Sequence, residues 1–279
     1  MNSDLEGRSI LVTGASGGIG QRLVEVLVEE GAHCFLHYNR GSGAAARLVA
    51  RLERRHPFAR LAGGGADLCD EAAIDALFEA FAEWSPQPFG LVVNAGIWPR
   101  DDVAITDMDL HRWRRTIEVN LTGAFLCCRA FLRLLARRAE TDGGGGDASI
   151  VLIGSTAALH GEADHADYAA SKAALHGLML SLKNEMVRVT PAGRVNLVHP
   201  GWVRTPMAEA TLAEPGVVER VTATMALRKV ATPDDVAAAV CFLLSPRLAG
   251  HLTGVALPVS GGMEGRLLHP GGLTADGGS

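Results

Sequence analysis

The stretch TGASGGIG occupies residues 13–20 and separates two segments of different hydrophobic pattern. The apolar run before it, residues 8–13, predicts a buried β-strand. Apolar residues after it recur at helical spacing, which predicts a helix that ends near Gly31. Glycines let such a turn close and let its backbone approach a pyrophosphate, while the helix N-terminus offers free N–H groups to phosphate oxygens. This arrangement predicts a dinucleotide-binding site.

The second predicted strand spans residues 33–38 and runs into the turn YNRGS at residues 38–42. In nucleotide-binding βαβ units the end of this strand meets the adenosine ribose, where an acidic residue favours NAD. No acid occurs here, whereas the Arg40 guanidinium could pair with a 2′-phosphate, and Asn39 and Ser42 could add hydrogen bonds. We therefore expect NADP(H) to be favoured. If Arg40 is only a solvated loop residue, NAD(H) is the alternative.

Strand-like segments alternate with helical patterns along the rest of the chain. Further strands are expected near residues 59–62, 89–93, 149–153, 194–198 and 253–259, and helices over 44–55, 71–83, 110–137, 168–189 and from Thr232 onward. This order predicts an α/β fold, a doubly wound, Rossmann-like parallel sheet with helices on both faces. We expect a single domain over residues 1–263, with ligands at the carboxyl ends of the strands.

Three segments are expected to lie outside this framework. Residues 203–230 are polar and mixed, which suits a lid over a substrate rather than core. Gly143–Gly146 is interpreted as a flexible surface linker. Residues 264–279 form a C-terminal tail for which the sequence predicts no structure.

A second chemical pattern, Ser155-x12-Tyr168-x3-Lys172, begins where the strand 149–153 ends. Tyr168 and Lys172 are four residues apart, so they lie on one helix face, one turn from each other. A phenol has a pKa of about 10, and a neighbouring ammonium lowers it towards the range useful for acid–base catalysis. A serine hydroxyl at the facing strand end can hydrogen-bond to a carbonyl oxygen. The alternative interpretation is an ordinary amphipathic helix.

Further polar positions accompany the predicted strand ends. Asp67 follows the third strand and could hydrogen-bond an adenine amine, although a turn or helix-capping role is nearly as consistent. Asn94, Ala95 and Gly96 follow the next strand, and the small residue Ala95 and the glycine would let a cofactor approach the sheet edge. Asn120 lies within a predicted helix, where it would bind water or a backbone carbonyl at a kink, or be satisfied in the core.

Composition indicates a globular protein with reduced thiols. Of the 279 residues, 48% are hydrophobic and 20% are charged, and the net charge of −5 does not support nucleic-acid or anionic-membrane binding. The N-terminal residues do not resemble a secretory signal, and no apolar run reaches the length of a membrane span. None of the five cysteines forms a CxxC pair, so we expect a cytoplasmic protein. No metal site is predicted.

Taken together, these motifs resemble those of the short-chain dehydrogenase/reductase family, in its compact single-domain branch, and are most similar to 3-oxoacyl-thioester reductases and glucose-dehydrogenase-like members. The resemblance covers about residues 7–263 and rests on residues 13–20, Asp67, 94–96, Asn120, Ser155, 168–172, Pro200, Gly201 and Thr205. It implies an NAD(P)-dependent oxidoreductase that transfers a hydride between the nicotinamide and a ketone or secondary alcohol. The alternative is a non-catalytic NAD(P)-binding sensor or scaffold on the same fold.

The resemblance also implies residue roles. Tyr168 would be the general acid/base, Lys172 would lower its pKa and hold the nicotinamide ribose, and Ser155 would polarise the substrate carbonyl. Asn120 would hold a water that links Lys172 to solvent, which completes the catalytic set. The cofactor-binding set consists of Gly14, Ser16, Gly17, Gly18, Ile19, Gly20, Tyr38, Asn39, Arg40, Asp67, Leu68, Asn94, Ala95, Gly96, Tyr168, Lys172, Pro200, Gly201, Val203 and Thr205.

The expected partners are a small carbonyl or alcohol substrate and further copies of the chain. The resemblance implies a homotetramer, or a dimer, with the helices that hold Asn120 and Tyr168 at one interface. The candidate substrate-pocket residues are Trp98, His160, His165, Trp202 and Met207. They favour an apolar or cyclic carbonyl compound, and ordinary loop packing is the alternative for both tryptophans.

Overall fold

A computed structural model describes residues 3–85, 87–142, 146–206 and 208–264. Three features expected from the sequence lie partly or wholly outside these described residues. They are the candidate pocket residue Met207, residues 143–145 of the glycine linker, and the C-terminal tail after Glu264.

One parallel sheet organises the described chain. Its strands are β1 Ser9–Val12, β2 His33–Tyr38, β3 Leu61–Gly65, β4 Pro88–Val93, β5 Asp147–Ile153, β6 Ala192–Pro200 and β7 Ala256–Val259. Their order is β3-β2-β1-β4-β5-β6-β7, and each neighbouring pair is parallel. The predicted doubly wound α/β fold is therefore confirmed. The third strand lies later than the predicted 59–62, because its glycines 63–65 pair with β2.

Helices connect the strands and cover both faces of the sheet. They are α1 Gly18–Glu29, α2 Ser42–Arg55, α3 Glu71–Trp84, α4 Leu110–Ile117, α5 Gly123–Asp142, α6 Ala157–His160, α7 Ala166–Val189, α8 Glu209–Leu212, α9 Val217–Thr222, α10 Pro233–Leu244 and α11 Pro246–Ala249. The start of α10 shows why the sequence predicts these positions well. Thr232 and Asp235 form a reciprocal capping box around Pro233.

Alternation along the strands produces two apolar layers. Leu11 faces the layer that contains Phe81 of α3 and Phe131 of α5. Its neighbour Val12 faces the opposite layer, which contains Leu23 of α1. Side chains of successive strand residues point to opposite faces, so a sheet covered on both sides reads as a continuous apolar run.

The predicted long helix 110–137 is interrupted, which corrects the expectation of one continuous helix. A π-helical turn, Glu118–Thr122, separates α4 from α5, and the Gly123 N–H bonds the Glu118 carbonyl. The stretch Leu110–Thr141 is also long and apolar enough to cross a membrane by composition, contrary to expectation. However, 56% of its apolar window is buried inside the fold, as in a core helix.

Residues 203–230 are not uniformly polar surface, which corrects part of the lid prediction. They contain α8 and α9, and Leu212, Val217 and Val230 form a small apolar cluster with the partly buried Trp202. The segment is joined to the body of the protein by a bridge between Val203 and Ala231. It therefore has a core of its own beside the sheet edge.

Candidate active site

The glycine-rich turn is fastened to the end of β4 by side-chain and backbone hydrogen bonds. The Thr13 hydroxyl accepts from the Asn94 N–H at 2.9 Å and from the Ala95 N–H at 3.0 Å. The Asn94 amide donates to the carbonyl oxygens of Thr13 at 3.0 Å and Gly14 at 3.2 Å. The sequence predicted that 94–96 would simply leave room for a cofactor. The structure shows that Asn94 also holds the turn in place.

Close packing requires glycine at three positions of this turn. Gly14 has a φ of +65°, and a Cβ there would lie 2.9 Å from the Ala95 Cα. A Cβ on Gly20 would overlap the Gly14 carbonyl oxygen, and one on Gly18 would lie 2.9 Å from the Thr205 Cβ. The turn therefore forms a cradle of backbone, with the predicted residue Thr205 at its edge.

Sequence reasoning missed His37, which supports this cradle from β2. His37 is fully buried, its Nδ1 accepts the Gly14 N–H at 3.1 Å, and its Nε2 lies 3.0 Å from the Ala66 carbonyl oxygen. Both contacts are satisfied when Nε2 carries the proton, and burial lowers the pKa of His37, which keeps the ring neutral. The only available signal was a polar residue inside the apolar strand 33–38.

Arg40 lies beside the cradle and is exposed. Within the described residues it makes no hydrogen bond or ion pair, so its guanidinium is available to a ligand. The next residue, Gly41, packs so closely on Ser16 that a Cβ there would overlap the serine side chain. Arg40 therefore lies next to the glycine-rich turn. Tyr38 packs over Gly65 on the neighbouring strand.

Asp67 and Leu68 follow β3 at the same edge of the sheet. Asp67 is exposed, and its carboxylate accepts the Cys69 N–H at 3.0 Å, which lowers its pKa. This is the turn role left open by the sequence, with a free face remaining. The Leu68 side chain is buried against Gly123, so a cofactor contact at this predicted position would involve its backbone.

Ser155, Tyr168 and Lys172 converge at the carboxyl end of β5. The Ser155 hydroxyl is close enough to the Tyr168 phenol to lower its pKa, and the Ser155 Oγ accepts the Ala157 N–H at 3.1 Å. The Lys172 Nζ lies 5.8 Å from the centre of the Tyr168 ring and donates to the Ile153 carbonyl at 2.9 Å. The predicted spacing therefore does bring the three side chains together.

The pKa shifts of Tyr168 and Lys172 differ from those expected from the sequence. Burial raises the pKa of Tyr168, and the hydrogen bond from Ser155 opposes this effect. Lys172 is not among the groups that shift the pKa of Tyr168, and its ammonium donates to the Ile153 carbonyl. Burial lowers the pKa of Lys172 itself to about 8. The site therefore holds a lysine whose charge is costly unless a further partner approaches.

Asn120 is buried in the π-helical turn and bonds backbone, as one of its predicted alternatives required. Its Oδ1 accepts the Ile97 N–H at 2.7 Å, and its Nδ2 donates to the Ile97 carbonyl at 3.0 Å and to the Ser171 hydroxyl at 3.1 Å. Gly96 lies between the two helices, since a Cβ there would be 3.1 Å from the Asn120 Oδ1 and 3.2 Å from the Lys172 Nζ. Asn120 therefore fixes the backbone beside Lys172.

One candidate pocket residue, Trp98, lies against Tyr168, and a second, His165, lies against Trp98. The Trp98 ring centre is 3.9 Å from that of His165 and 4.6 Å from that of Tyr168, the latter edge-on. The buried His165 contacts the Asp102 carboxylate at 2.9 Å through Nε2. His160 is exposed at the end of α6, and Trp202 belongs to the cluster beside α8. The mouth of the site is therefore aromatic beside Tyr168.

Sequence reasoning also missed an ion pair that anchors the start of α7. Asp167, next to Tyr168, is fully buried and accepts the Arg112 Nε at 3.2 Å and the Thr116 hydroxyl at 2.7 Å. These hydrogen bonds lower its pKa against the opposing effect of burial. Spacing alone offers no signal, because the partners are on α4 and α7. Across the described residues, no group of three or more His, Cys, Asp or Glu could hold a metal ion.

Comparisons with known proteins agree with this geometry. The family described as enoyl-(acyl carrier protein) reductase matches residues 14–264. The chain is 35% identical over 274 residues to a (3R)-3-hydroxyacyl-CoA dehydrogenase of Rattus norvegicus, covering 94% of this chain and 99% of that protein. It is 34% identical to an L-rhamnose 1-dehydrogenase (NAD(P)(+)) of Sphingomonas sp. (strain SKA58), covering 93% and 97%.

A solved structure also matches almost the whole chain. It is a short-chain dehydrogenase/reductase of the glucose/ribitol dehydrogenase type from Brucella melitensis, with a TM-score of 0.83 and 28% identity. The match covers 95% of this chain and 100% of that one. Sequence and backbone therefore agree over both the glycine-rich turn and the Tyr168 helix.

Proposed function

The chain belongs to the short-chain dehydrogenase/reductase family of oxidoreductases, and we propose that its site interconverts a ketone and a secondary alcohol with Tyr168 as general acid/base. The observation that carries this proposal is the meeting of Ser155, Tyr168 and Lys172 at the same sheet edge as the glycine cradle. A dinucleotide held on the cradle would extend along this edge to Tyr168.

The residues present fit a nicotinamide dinucleotide. Gly14, Gly18 and Gly20 let the turn close on itself and against Ala95 and Thr205, and the N-terminus of α1 offers N–H groups to phosphate oxygens. The Lys172 ammonium has three donors, of which one bonds Ile153, so two remain for ribose hydroxyls. When bound, the nicotinamide supplies or accepts the hydride.

The proton is handled by the side chains of the chain itself. During reduction Tyr168 gives its phenol proton to the substrate oxygen, and during oxidation the phenolate takes that proton back. The Ser155 Oγ accepts from the Ala157 N–H, so its own hydrogen remains free for the phenol or the substrate oxygen. The Lys172 ammonium stabilises the phenolate once a further hydrogen-bond partner offsets the burial of its charge, and Asn120 keeps the backbone of Ile97 in position beside it.

We propose a preference for NADP(H), supported by the free and exposed Arg40 beside Ser16. Loss of a charge-assisted hydrogen bond costs about 1.5–3 kcal/mol, roughly a tenfold to hundredfold change in Kd. Arg40→Ala should therefore weaken NADPH binding to that extent and leave NADH binding unchanged, measured by fluorescence titration. Arg54→Ala, an exposed arginine on α2, is the matched control. Equal loss for both cofactors, or a wild-type preference for NADH, would contradict the proposal.

The substrate class is tested by direct turnover. The aromatic mouth formed by Trp98 supports an apolar or cyclic carbonyl compound. Suitable probes are trans-1-decalone and acetoacetyl-CoA with NADPH, and L-rhamnose with NADP+ as a polar comparison. We expect turnover of the carbonyl probes, followed by NADPH absorbance, and its loss in Tyr168→Phe. Turnover that survives in that variant would refute the acid/base role.

The remaining proposals concern the domain organisation, the localisation and the oligomeric state of the protein. We propose one domain over residues 1–263, with residues 203–230 as a lid over the substrate, in a cytoplasmic homotetramer or dimer. Exposed apolar side chains on α4, α5 and α7 support the assembly, namely Leu110, Phe125, Leu180 and Val187, which are 58%, 42%, 39% and 43% exposed. Light scattering should give a mass of two or four chains, and a monomer would contradict it.

A further inference from the structure

His199 lies behind Ser155, at the end of β6, and has no role in the proposed mechanism. It is 1% exposed, and its Nδ1 lies 3.2 Å from the Ser155 N and 2.9 Å from the Ser155 carbonyl oxygen. A Cβ on Gly154 would lie 2.5 Å from this Nδ1. The ring therefore fills the space that Gly154 leaves, directly against the peptide that carries Ser155.

The hydrogen bonds around Ser155 indicate which atom of the serine depends on His199. The Ser155 carbonyl already accepts the Ala158 N–H at 3.0 Å, and its Oγ accepts the Ala157 N–H. The Ser155 N–H donates only to the His199 Nδ1 among the described contacts. With Nδ1 unprotonated the ring accepts the Ser155 N–H at 3.2 Å, and with Nδ1 protonated it donates to the Ser155 carbonyl at 2.9 Å, so in either tautomer this nitrogen bonds the Ser155 peptide.

The opposite edge of the ring shows that packing alone is a poor explanation for a histidine here. The His199 Nε2 is buried and has no hydrogen-bond partner within the described part of the chain. Burial lowers the pKa of His199 and outweighs the hydrogen bond to the Ser155 backbone, which raises it, while the nearby His176 and Lys172 lower it further, so the ring is held neutral. An apolar residue would fill the same space without an unpartnered polar atom. The benefit of histidine therefore lies at Nδ1.

We propose that His199 is a positioning residue, whose ring holds the Ser155 peptide so that the serine hydroxyl meets the Tyr168 phenol. Ser155 itself is short and sits where β5 ends, with no further strand pairing to β6 through its own N–H. The hydroxyl–phenol hydrogen bond opposes the effect of burial on Tyr168. A displaced Ser155 would therefore make the phenol harder to ionise. This inference rests on the proposed function only for its catalytic consequence.

The chain has two tyrosines, Tyr38 and Tyr168, so the phenol can be observed directly. In a Tyr38→Phe background, ¹³Cζ-tyrosine labelling gives a single NMR resonance that reports ionisation of Tyr168. We expect His199→Leu to move this titration upward by about one pH unit, through loss of a hydrogen bond to the charged form. Ser155→Ala should cause a similar shift, and the double variant should add little to either. Lys172, and the carboxyl of Glu162 that opposes ionisation, are unchanged in all these variants.

A conservative variant and a control separate positioning from general disruption. His199→Asn places an amide oxygen close to the Nδ1 position and should restore most of the wild-type titration. His33→Leu is the matched control, because the His33 Nδ1 also accepts a backbone N–H, from Arg60 at 3.1 Å, at the opposite end of the sheet. Its Tyr168 resonance should not change. If His199→Leu fails to fold, Gly154→Ala displaces the ring from the other side and should give the same upward shift.

Two outcomes would overturn the inference. One is a Tyr168 titration that is the same in His199→Leu and the wild type. The other is a shift that adds fully to that of Ser155→Ala, because His199 would then act on Tyr168 by another route. This readout needs no substrate, so it is independent of the proposed function, whose own failure is retained turnover in Tyr168→Phe. If the role of His199 and the proposed function are both correct, His199→Leu should lower kcat about tenfold with little change in cofactor Kd.

Discussion

The two ends of the candidate site are built by opposite means. At the glycine cradle, the shape depends on atoms that are absent, since Cβ atoms on Gly14, Gly18 or Gly20 would meet backbone or side chains. At the Tyr168 end, the shape depends on buried polar side chains that each have a partner, such as Asn120 with Ile97. The cradle is therefore sensitive to added atoms, and the catalytic end is sensitive to lost ones.

The largest effect on turnover should come from removing a single oxygen at the catalytic end, the hydroxyl of Tyr168. Tyr168→Phe keeps the ring and its edge-on contact with Trp98 but removes the group that transfers the proton. We expect kcat to fall by about 10²–10⁴-fold, with cofactor binding unchanged. Steady-state rates on a carbonyl probe and fluorescence titration with NADPH measure the two quantities. A variant that loses cofactor binding to the same degree would show that the two ends are not separable.

At the glycine cradle, one added carbon should weaken cofactor binding. Gly20→Ala drives a methyl group into the Gly14 carbonyl oxygen, so the turn has to open. Overpacking costs about 1–3 kcal/mol, and we expect at least a tenfold weaker NADPH Kd together with a lower Tm. Gly177→Ala is the control, because a Cβ there meets nothing within 4 Å on an exposed face of α7. It should stabilise the protein by up to about 1 kcal/mol. If Gly20→Ala binds NADPH normally, the cradle is not the phosphate site.

A third test uses the pH dependence of folding stability, to which Lys172 at the catalytic end contributes. Lys172 has a pKa of about 8 in the fold, lowered by burial from an ordinary value of 10.5. Below pH 8 Lys172 is protonated in both the folded and the unfolded state. The folded state then bears the full cost of burying the charge. Between pH 8 and 10.5 the unfolded state binds more protons, so this group makes the fold more stable as the pH rises.

Lys172→Met should therefore stabilise the protein without cofactor at pH 7 while abolishing turnover. The gain at pH 7 is up to about 3 kcal/mol, less the lost hydrogen bond to Ile153, and it should shrink towards pH 10. Urea denaturation at the two pH values measures the difference. A variant that is less stable than the wild type at pH 7 would show that the Ile153 hydrogen bond outweighs the burial of the charge.

Local sequence patterns predict the elements that carry the site because strands and helices have distinct periods. The turn at 13–20, the strand 33–38 and the helix that holds Tyr168 all lie within a few residues of the expected positions. The apolar pattern continues through the π-helical turn at Glu118–Thr122 and does not mark it, although the Asn within the predicted helix indicated a kink. The partner of the Asn120 side chain, Ile97, lies on another loop and could not be identified from the sequence.

The histidines that support the site also show what local sequence patterns do not predict. His37 and His199 look alike in sequence, each a histidine in an apolar strand, yet one holds Gly14 and the other holds Ser155. Helical spacing also places Lys172 near the Tyr168 phenol, but it records neither the burial that raises the phenol pKa nor the hydrogen bond from the ammonium to Ile153. Such pairings join residues far apart in the chain, so no local pattern records them.

The sequence by itself determined the parallel α/β framework, the glycine-rich turn and the set of side chains that can transfer a proton. These follow from period, turn chemistry and residue type, all of which act over a few neighbouring residues. Only the tertiary structure decided which atoms hold those groups and how burial shifts their protonation. Hydrogen bonding and desolvation depend on what the fold brings together from distant strand ends, and that juxtaposition exists only once the sheet is assembled.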